Sequence, residues 1–206
     1  KLLKSTLTNV RSILWDQMMK NVYNIGAFQV SRENFSLNII YNNPINGVDI
    51  PYVPFAPIDD IPLIQVVGLD RYNQNGKDVP DGVFDYFPGA SLLGGTINQA
   101  TGRVFFTTVE PFGSTLNQAL IGNDPNNPVT DTITRSKIVF QPLYDSTKTK
   151  AQQFPALNRF RLLGQFQSSN SSEISLNAIN VPEGSVVVTA GGVRLVENQD
   201  YTVDYN

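Results

Sequence analysis

The chain has 206 residues, with 15 Lys and Arg against 18 Asp and Glu, and a net charge of −3 at pH 7. It contains neither His nor Cys, which excludes disulfides, Cys-ligated zinc, thiolate nucleophiles and any triad with an imidazole base. An apolar content of 41% suffices for a packed core, and the acidic balance argues against nucleic-acid binding, which needs a basic surface. We therefore expect a folded protein that does not bind nucleic acid, and whose available side-chain chemistry is that of carboxylates, amides, hydroxyls and amines.

The N-terminal residues follow a helical apolar period. The spacing predicts one face of an amphipathic helix that ends near Gly26, a typical C-cap residue. The apolar positions are Leu3, Leu7, Val10, Leu14, Met18, Val22 and Ile25. Such a helix either packs on its own domain or docks on a partner.

The pattern then changes to a strand period. Phe35 to Tyr41 alternates and predicts a strand. The Pro-rich stretch 42–57 predicts an extended surface connection, and the apolar run 61–69 predicts a buried strand. We divide the chain into residues 1–60, with the helix, strand and connection, and residues 61–206, a β-rich segment.

Two hairpins are predicted downstream. The first joins 96–98 to 103–106, and the second joins 185–189 to 193–196 around Gly191-Gly192, because glycine supplies the positive φ of a tight turn.

Between and beyond the hairpins, we expect a loop at 122–128, a short helix at 143–153, a strand at 160–166 and a polar turn at 168–172. The predicted fold class is α+β, mainly β: an N-terminal amphipathic helix followed by short antiparallel strands and hairpins with long Pro- and Asn-rich loops.

The densest cluster of side-chain oxygens lies between residues 70 and 85. Such oxygens are the ligands that Ca²⁺ prefers. The candidate ligands are Asp70, Asn73, Asn75, Asp78, Asp81 and Asp85. The spacing departs from an EF-hand loop, because Tyr72 stands at the third position and Asp81 at the twelfth. The loop is therefore interpreted either as a calcium site or as a set of Asx turns, in which the side chains bind backbone amides.

Two further groupings are weaker. Asp59-Asp60 with Glu110 resembles a pair of catalytic carboxylates, but nothing fixes their separation, and solvated loop charges are the simpler interpretation. The aromatic residues Phe105, Phe106, Phe112 and Tyr144 suit an aromatic platform or, by default, core packing.

The two ends of the sequence predict a piece of a longer protein. The chain has no initial Met, and its last residues, 201–206, alternate like a strand that is cut short. No apolar run approaches the roughly 20 residues of a membrane helix.

From about residue 62 to the C-terminus, several stretches together resemble one family. They occur in the family's order and are Gly68–Gly76 (GLDRYNQNG), Pro80–Asp85 (PDGVFD), Gly102–Phe106 (GRVFF), Glu110–Gly113 (EPFG), Leu143–Thr149 (LYDSTKT), Ser172–Leu176 (SEISL), Val181–Gly192 (VPEGSVVVTAGG) and Asp200–Tyr205 (DYTVDY). The chain resembles the SprA/Sov family of giant outer-membrane proteins of the Bacteroidetes type IX secretion system and gliding motility.

The resemblance implies a fragment of a very large transmembrane β-barrel, a translocon that exports folded proteins. It implies a location at the outer membrane or cell surface, with the segment itself periplasmic, luminal or extracellular. The implied partners are other secretion-system proteins, exported cargo and, through the rest of the chain, the outer membrane. The implied function is transport and not catalysis, so we expect a structural, gating or partner-docking role and no enzymatic activity. The alternative is an adhesin-like, calcium-stabilised cell-surface β-domain that binds glycan or protein.

Overall fold

The computed structural model describes residues 10, 15, 18–89, 94–126, 128–167, 176, 180–190, 192–203 and 205. These residues form a mixed α+β structure of short antiparallel strands and short helices. The chain divides into two compact units, Lys1–Ser169 and Asn170–Asn206.

The described elements are all short. The strands are β1 (Val22–Asn24), β2 (Ser36–Asn42), β3 (Asp49–Ile50), β4 (Ile97–Asn98), β5 (Arg103–Phe105), β6 (Phe160–Gln165), β7 (Thr189–Ala190) and β8 (Val193–Arg194). The helices are α1 (Leu63–Val66), α2 (Leu116–Ile121), α3 (Thr132–Ile138), α4 (Pro142–Asp145) and α5 (Lys148–Ala151). An irregular helical turn, Pro111–Thr115, leads into α2.

The first unit contains two antiparallel three-stranded sheets, in the orders β1-β5-β4 and β3-β2-β6. The predicted strands at 35–41 and 160–166 are confirmed as β2 and β6, which pair along their length. Every second residue of β2 is buried, because alternate side chains of a strand point to opposite faces. This sheet joins residues from both sides of the predicted division at residues 60 and 61.

The hairpin predicted at 96–106 is confirmed. Strands β4 and β5 pair Ile97 with Val104 and Asn98 with Arg103. Gly102 closes the turn with φ +56°, and a Cβ at this position would collide with the backbone of Ala27. The turn therefore requires glycine both for its backbone conformation and for space.

The core of the first unit combines strands β2, β4 and β5 with side chains from all five helices. The four aromatic residues are all buried, so the core interpretation is confirmed for Phe105, Phe106, Phe112 and Tyr144.

The predicted N-terminal helix is wrong at its C-terminal end. Val22–Asn24 forms β1, which pairs with β5, and most residues before it lie outside the described part of the chain. Gly26 has φ +73°, but its N–H donates to the side chain of Asn24 at 2.8 Å, so it turns the chain after a strand. Pairing with β5 outweighs a helical spacing that continues through Val22 and Ile25.

The buried strand predicted at 61–69 is also wrong. The run forms the one-turn helix α1, which follows Pro62. Burial was predicted correctly, since Leu63, Ile64 and Val67 are buried. A short apolar run does not distinguish a helix from a strand, and proline suits the start of a helix because no N–H is needed there.

The single helix predicted at 143–153 is divided into α4 and α5. Ser146 between them is extended, with φ −136° and ψ 167°, and the hydroxyl of Thr147 accepts the N–H of Lys150 to begin α5. The predicted loop at 122–128 is free of helix and strand at its described residues, and the predicted turn at 168–172 lies outside them. The connection at 42–57 contains the short strand β3, which pairs with β2.

Helices α2 and α3 were not predicted. Asp131 begins α3 as an N-cap, because its side chain accepts the N–H groups of Ile133 and Thr134. This is a recognisable signal at the sequence level.

The second unit contains the predicted hairpin of β7 and β8, shorter than expected. Gly192 has φ +82°, as its turn requires, whereas Gly191 lies outside the described residues. The hydroxyl of Tyr201 donates to the carbonyl of Val186 at 3.1 Å. None of the helices formed by the described residues has the length and apolar composition needed to cross a membrane.

Candidate functional site

The candidate site is the acidic loop, defined here as residues 70–85. It begins soon after α1 and returns to its starting point, because the N–H of Asp85 donates to the carbonyl of Leu69 at 2.8 Å. The carboxyl-bearing residues at its two ends are buried, with Asp70 1% exposed and Asp85 8% exposed.

These two carboxylates bind the backbone of the opposite end of the loop. Asp70 accepts the N–H of Asp81 at 3.0 Å and that of Gly82 at 2.9 Å. Asp85 accepts the N–H of Arg71 at 2.7 Å and that of Tyr72 at 3.2 Å. The two ends therefore hold each other reciprocally, and two buried acidic side chains satisfy four backbone donors.

The middle of the loop repeats the same chemistry closer to solvent. Asp81 accepts the N–H of Gln74 at 3.1 Å and that of Val83 at 3.1 Å. Asn73 accepts the N–H groups of Asn75 and Lys77, each at 3.0 Å. Side-chain oxygens thus replace the ladder hydrogen bonds that a loop lacks.

The six candidate calcium ligands are therefore only partly brought together. Asp70, Asp81 and Asp85 lie close enough to interact electrostatically, whereas Asn75 and Asp78 are exposed. Over the described residues, which include the whole acidic loop, no three acidic side chains converge as a metal site would require. The calcium site stays a prediction, and the hydrogen bonds favour the Asx-turn interpretation.

The electrostatics of the loop follow from burial. Burial raises the pKa of the Asp85 carboxyl above its ordinary value, and the amides of Arg71 and Tyr72 oppose this shift. The nearby carboxylates of Asp70 and Asp81 raise the pKa further. The pKa of Asp85 therefore depends on the folded loop, because the loop both buries this carboxyl and supplies the amides that bind it.

A second polar cluster surrounds Glu110, and the sequence did not predict it. Gln141 donates to Glu110 at 3.0 Å and to Asp145 at 3.1 Å. The ammonium of Lys20 lies 4.0 Å from Glu110. Glu110 is thus held by residues far apart in the sequence, and no local motif signals these partners.

The phenol of Tyr144 ties this cluster to the core. It accepts the N–H of Phe112 at 3.0 Å, and its oxygen lies 3.4 Å from the hydroxyl of Tyr23. Burial raises the pKa of Tyr144 far above the ordinary value for tyrosine, so this hydroxyl stays protonated. Gly113 permits the arrangement, because a Cβ there would meet the ring of Tyr144 and the side chain of Gln141.

Taken together, the side chains of these two sites are engaged by backbone amides and by residues of the core. No protein-family model matches the chain, and no curated protein matches it. The family resemblance therefore rests on the sequence stretches alone.

Proposed function

We propose that this chain is a structural, partner-docking segment of the outer-membrane translocon of type IX secretion and gliding motility, a fragment of that much larger β-barrel protein. The observation that carries the proposal is the ordered series of SprA/Sov-like stretches between Gly68 and Tyr205. Each stretch is short, but their order and number make the resemblance specific.

The positions of these stretches in the fold support a scaffold role. Gly68–Asp85 contains the acidic loop, whose Asp70 and Asp85 bind backbone amides. Gly102–Phe106 supplies the turn glycine and the central strand of the β1-β5-β4 sheet. Glu110–Gly113 begins the irregular helical turn, in which Gly113 lies against the ring of Tyr144.

The chemistry of the chain supports transport or docking over catalysis. It has no imidazole and no thiol. The buried carboxylates of the acidic loop are engaged by backbone donors, which leaves them poorly placed as a general acid and base.

The experiment that tests the proposal is an in-frame deletion of these 206 residues from the full-length gene of an organism that carries it. We expect the shortened protein to reach the outer membrane and to lose export of cargo that bears the C-terminal secretion signal. A point variant, Asp70→Ala, should reduce export less severely, and Asp78→Ala serves as its matched control. Normal export by a stably expressed deletion would contradict the proposal.

The alternative function, a calcium-stabilised adhesin-like domain, gains no support from the acidic loop. Its acidic oxygens already accept backbone N–H groups at Asp70, Asp81 and Asp85. A glycan array with the purified chain would revive this alternative if it revealed calcium-dependent binding.

A further inference from the structure

Strand β6 lies at one edge of a sheet in the first unit. Strand β6 ends the β3-β2-β6 sheet, and no other strand among the described residues pairs with it. We propose that this edge binds an extended, uncharged peptide segment of a partner protein, which adds to the sheet as a further strand.

The hydrogen-bonding pattern defines which backbone groups are offered. Antiparallel pairing alternates between bonded and non-bonded pairs, and the N–H of Asn42 donates to the carbonyl of Arg159 at 2.9 Å. In the register that pairs Tyr41 with Phe160, the odd-numbered residues of β6 therefore face β2. The N–H and C=O groups of Leu162 and Gly164 point away from the sheet, where an incoming strand would meet them.

An apolar groove accompanies this edge. It has a volume of about 320 Å³ and lies between the second half of β6, the start of β2 and the residues of β1. Ile25, Phe35, Leu162 and Phe166 contribute its apolar surface, and Phe166 is 45% exposed. Side chains at alternate positions of an added strand point to one face, so every second residue of the segment would enter the groove.

The groove also restricts the charge of its occupant. All of the residues that line it are uncharged, so a buried Lys or Asp would find no counter-charge there. A polypeptide in extended conformation is the partner that satisfies both features, because it supplies backbone donors and acceptors to the edge and uncharged side chains to the groove.

Binding of a short synthetic peptide to the edge of β6 tests the proposal directly. The probe is a synthetic peptide of about seven residues, an ordinary strand length, in which Thr and Val alternate. Its matched control carries N-methyl groups on alternate amides, which removes the donors of one edge. Binding to the complete chain is followed by the amide resonances of Leu162, Gly164 and Phe166 in NMR titrations.

We expect saturable shifts with the unmodified peptide and binding weaker by about tenfold or more with the N-methylated peptide, because backbone hydrogen bonds are lost. Phe166→Pro removes an edge donor and an apolar contact and should weaken binding to a similar extent. Leu163→Thr changes a side chain on the other face of β6, which is 63% exposed, and should leave binding unchanged.

Three results would overturn the proposal: no binding to the folded wild-type chain, equal binding of both peptides, or undiminished binding to folded Phe166→Pro. The proposal would also be overturned if the chain dimerises and Phe166→Pro abolishes the dimer, because the edge of β6 would then bind a second copy of the chain. The proposal is independent of the family assignment, since peptide binding is a property of this chain whereas export is measured in the whole translocon.

Discussion

The acidic loop and the edge of β6 differ in how the hydrogen bonds of their backbone groups are satisfied. In the loop, no regular structure supplies partners, and the carboxylates of aspartate side chains accept the N–H groups of Arg71, Gln74, Asp81 and Gly82. Along β6, a regular sheet supplies partners on one side and leaves the other side without a neighbouring strand among the described residues.

This difference is why we assign a structural role to the acidic loop and propose a binding role for the edge of β6. The composition of the acidic loop suggests a binding site. Its carboxylate oxygens, however, already accept backbone N–H groups within the loop and are less available to a ligand. An edge strand beside an apolar groove offers backbone groups that no other strand of the described residues pairs with, although its sequence carries no functional motif. Side-chain chemistry alone is therefore a poor guide to the binding surfaces of this protein.

Removal of the buried acceptor at Asp70 should have the largest effect. Asp70→Ala leaves the N–H groups of Asp81 and Gly82 without their partner, and we expect a loss of about 2–4 kcal/mol in the free energy of unfolding. Urea denaturation measures it. Asp78→Ala, at an exposed position of the same loop, should change stability by no more than about 0.5 kcal/mol. Equal effects of the two substitutions would show that the loop is not held in the way described.

A smaller loss is expected where β2 and β6 approach closely. A Cβ at Gly164 would collide with the carbonyl of Ser36 and approach Leu37. Gly164→Ala should therefore cost about 1–3 kcal/mol in unfolding free energy, through displacement of the strands. Leu163→Ala is the control, because this neighbouring side chain is 63% exposed. If Gly164→Ala melts like the wild type, the pairing of β2 with β6 is wrong.

A change of pH should alter the free energy of unfolding through Asp85 by less than either of these substitutions does. The pKa of Asp85 is raised in the folded chain, chiefly by burial. Its contribution to stability is therefore fully present below the unfolded pKa of about 3.9 and is lost as the pH rises through the folded pKa. Compared with Asp85→Asn, the wild type should lose unfolding free energy over this window, as measured by urea denaturation at several pH values. A difference between the two proteins that is constant with pH would rule out the shift.

Calcium should have the smallest effect. Because the carboxylates of Asp70 and Asp85 already accept backbone N–H groups, we expect the same melting temperature with excess calcium as with a chelator. Magnesium serves as the control for general ionic effects. A rise with calcium alone would restore the metal-site interpretation and make the loop a second binding region.

The sequence was most informative where a pattern depends on local geometry. Alternation in β2 and the Gly-containing turn between β4 and β5 were sufficient to predict those elements, because strand period and turn conformation are local properties. The apolar run that forms α1 predicted burial without the element type, and β1 was hidden in a helical spacing that pairing with β5 overrides. The cap at Asp131 was available to predict α3.

The candidate site was predictable in composition and not in its connections. The sequence located the acidic loop and offered both interpretations of it, but which oxygen meets which amide depends on how its two ends return to each other. The contacts of Glu110 with Lys20 and Gln141 join residues far apart in the chain. The groove beside β6 depends on where three separate strands come together, and no single segment encodes it.

Amide hydrogen exchange followed by NMR tests the contrast between the two regions most directly. We predict slow exchange for Asp81 and Gly82, whose N–H groups donate to Asp70. Along β6 we predict alternation, with Leu163 protected by its bond to β2 and with Leu162 and Gly164 exchanging faster. Rapid exchange throughout the acidic loop, or uniform protection along β6, would contradict the account of a loop closed on itself and a sheet edge open to a partner.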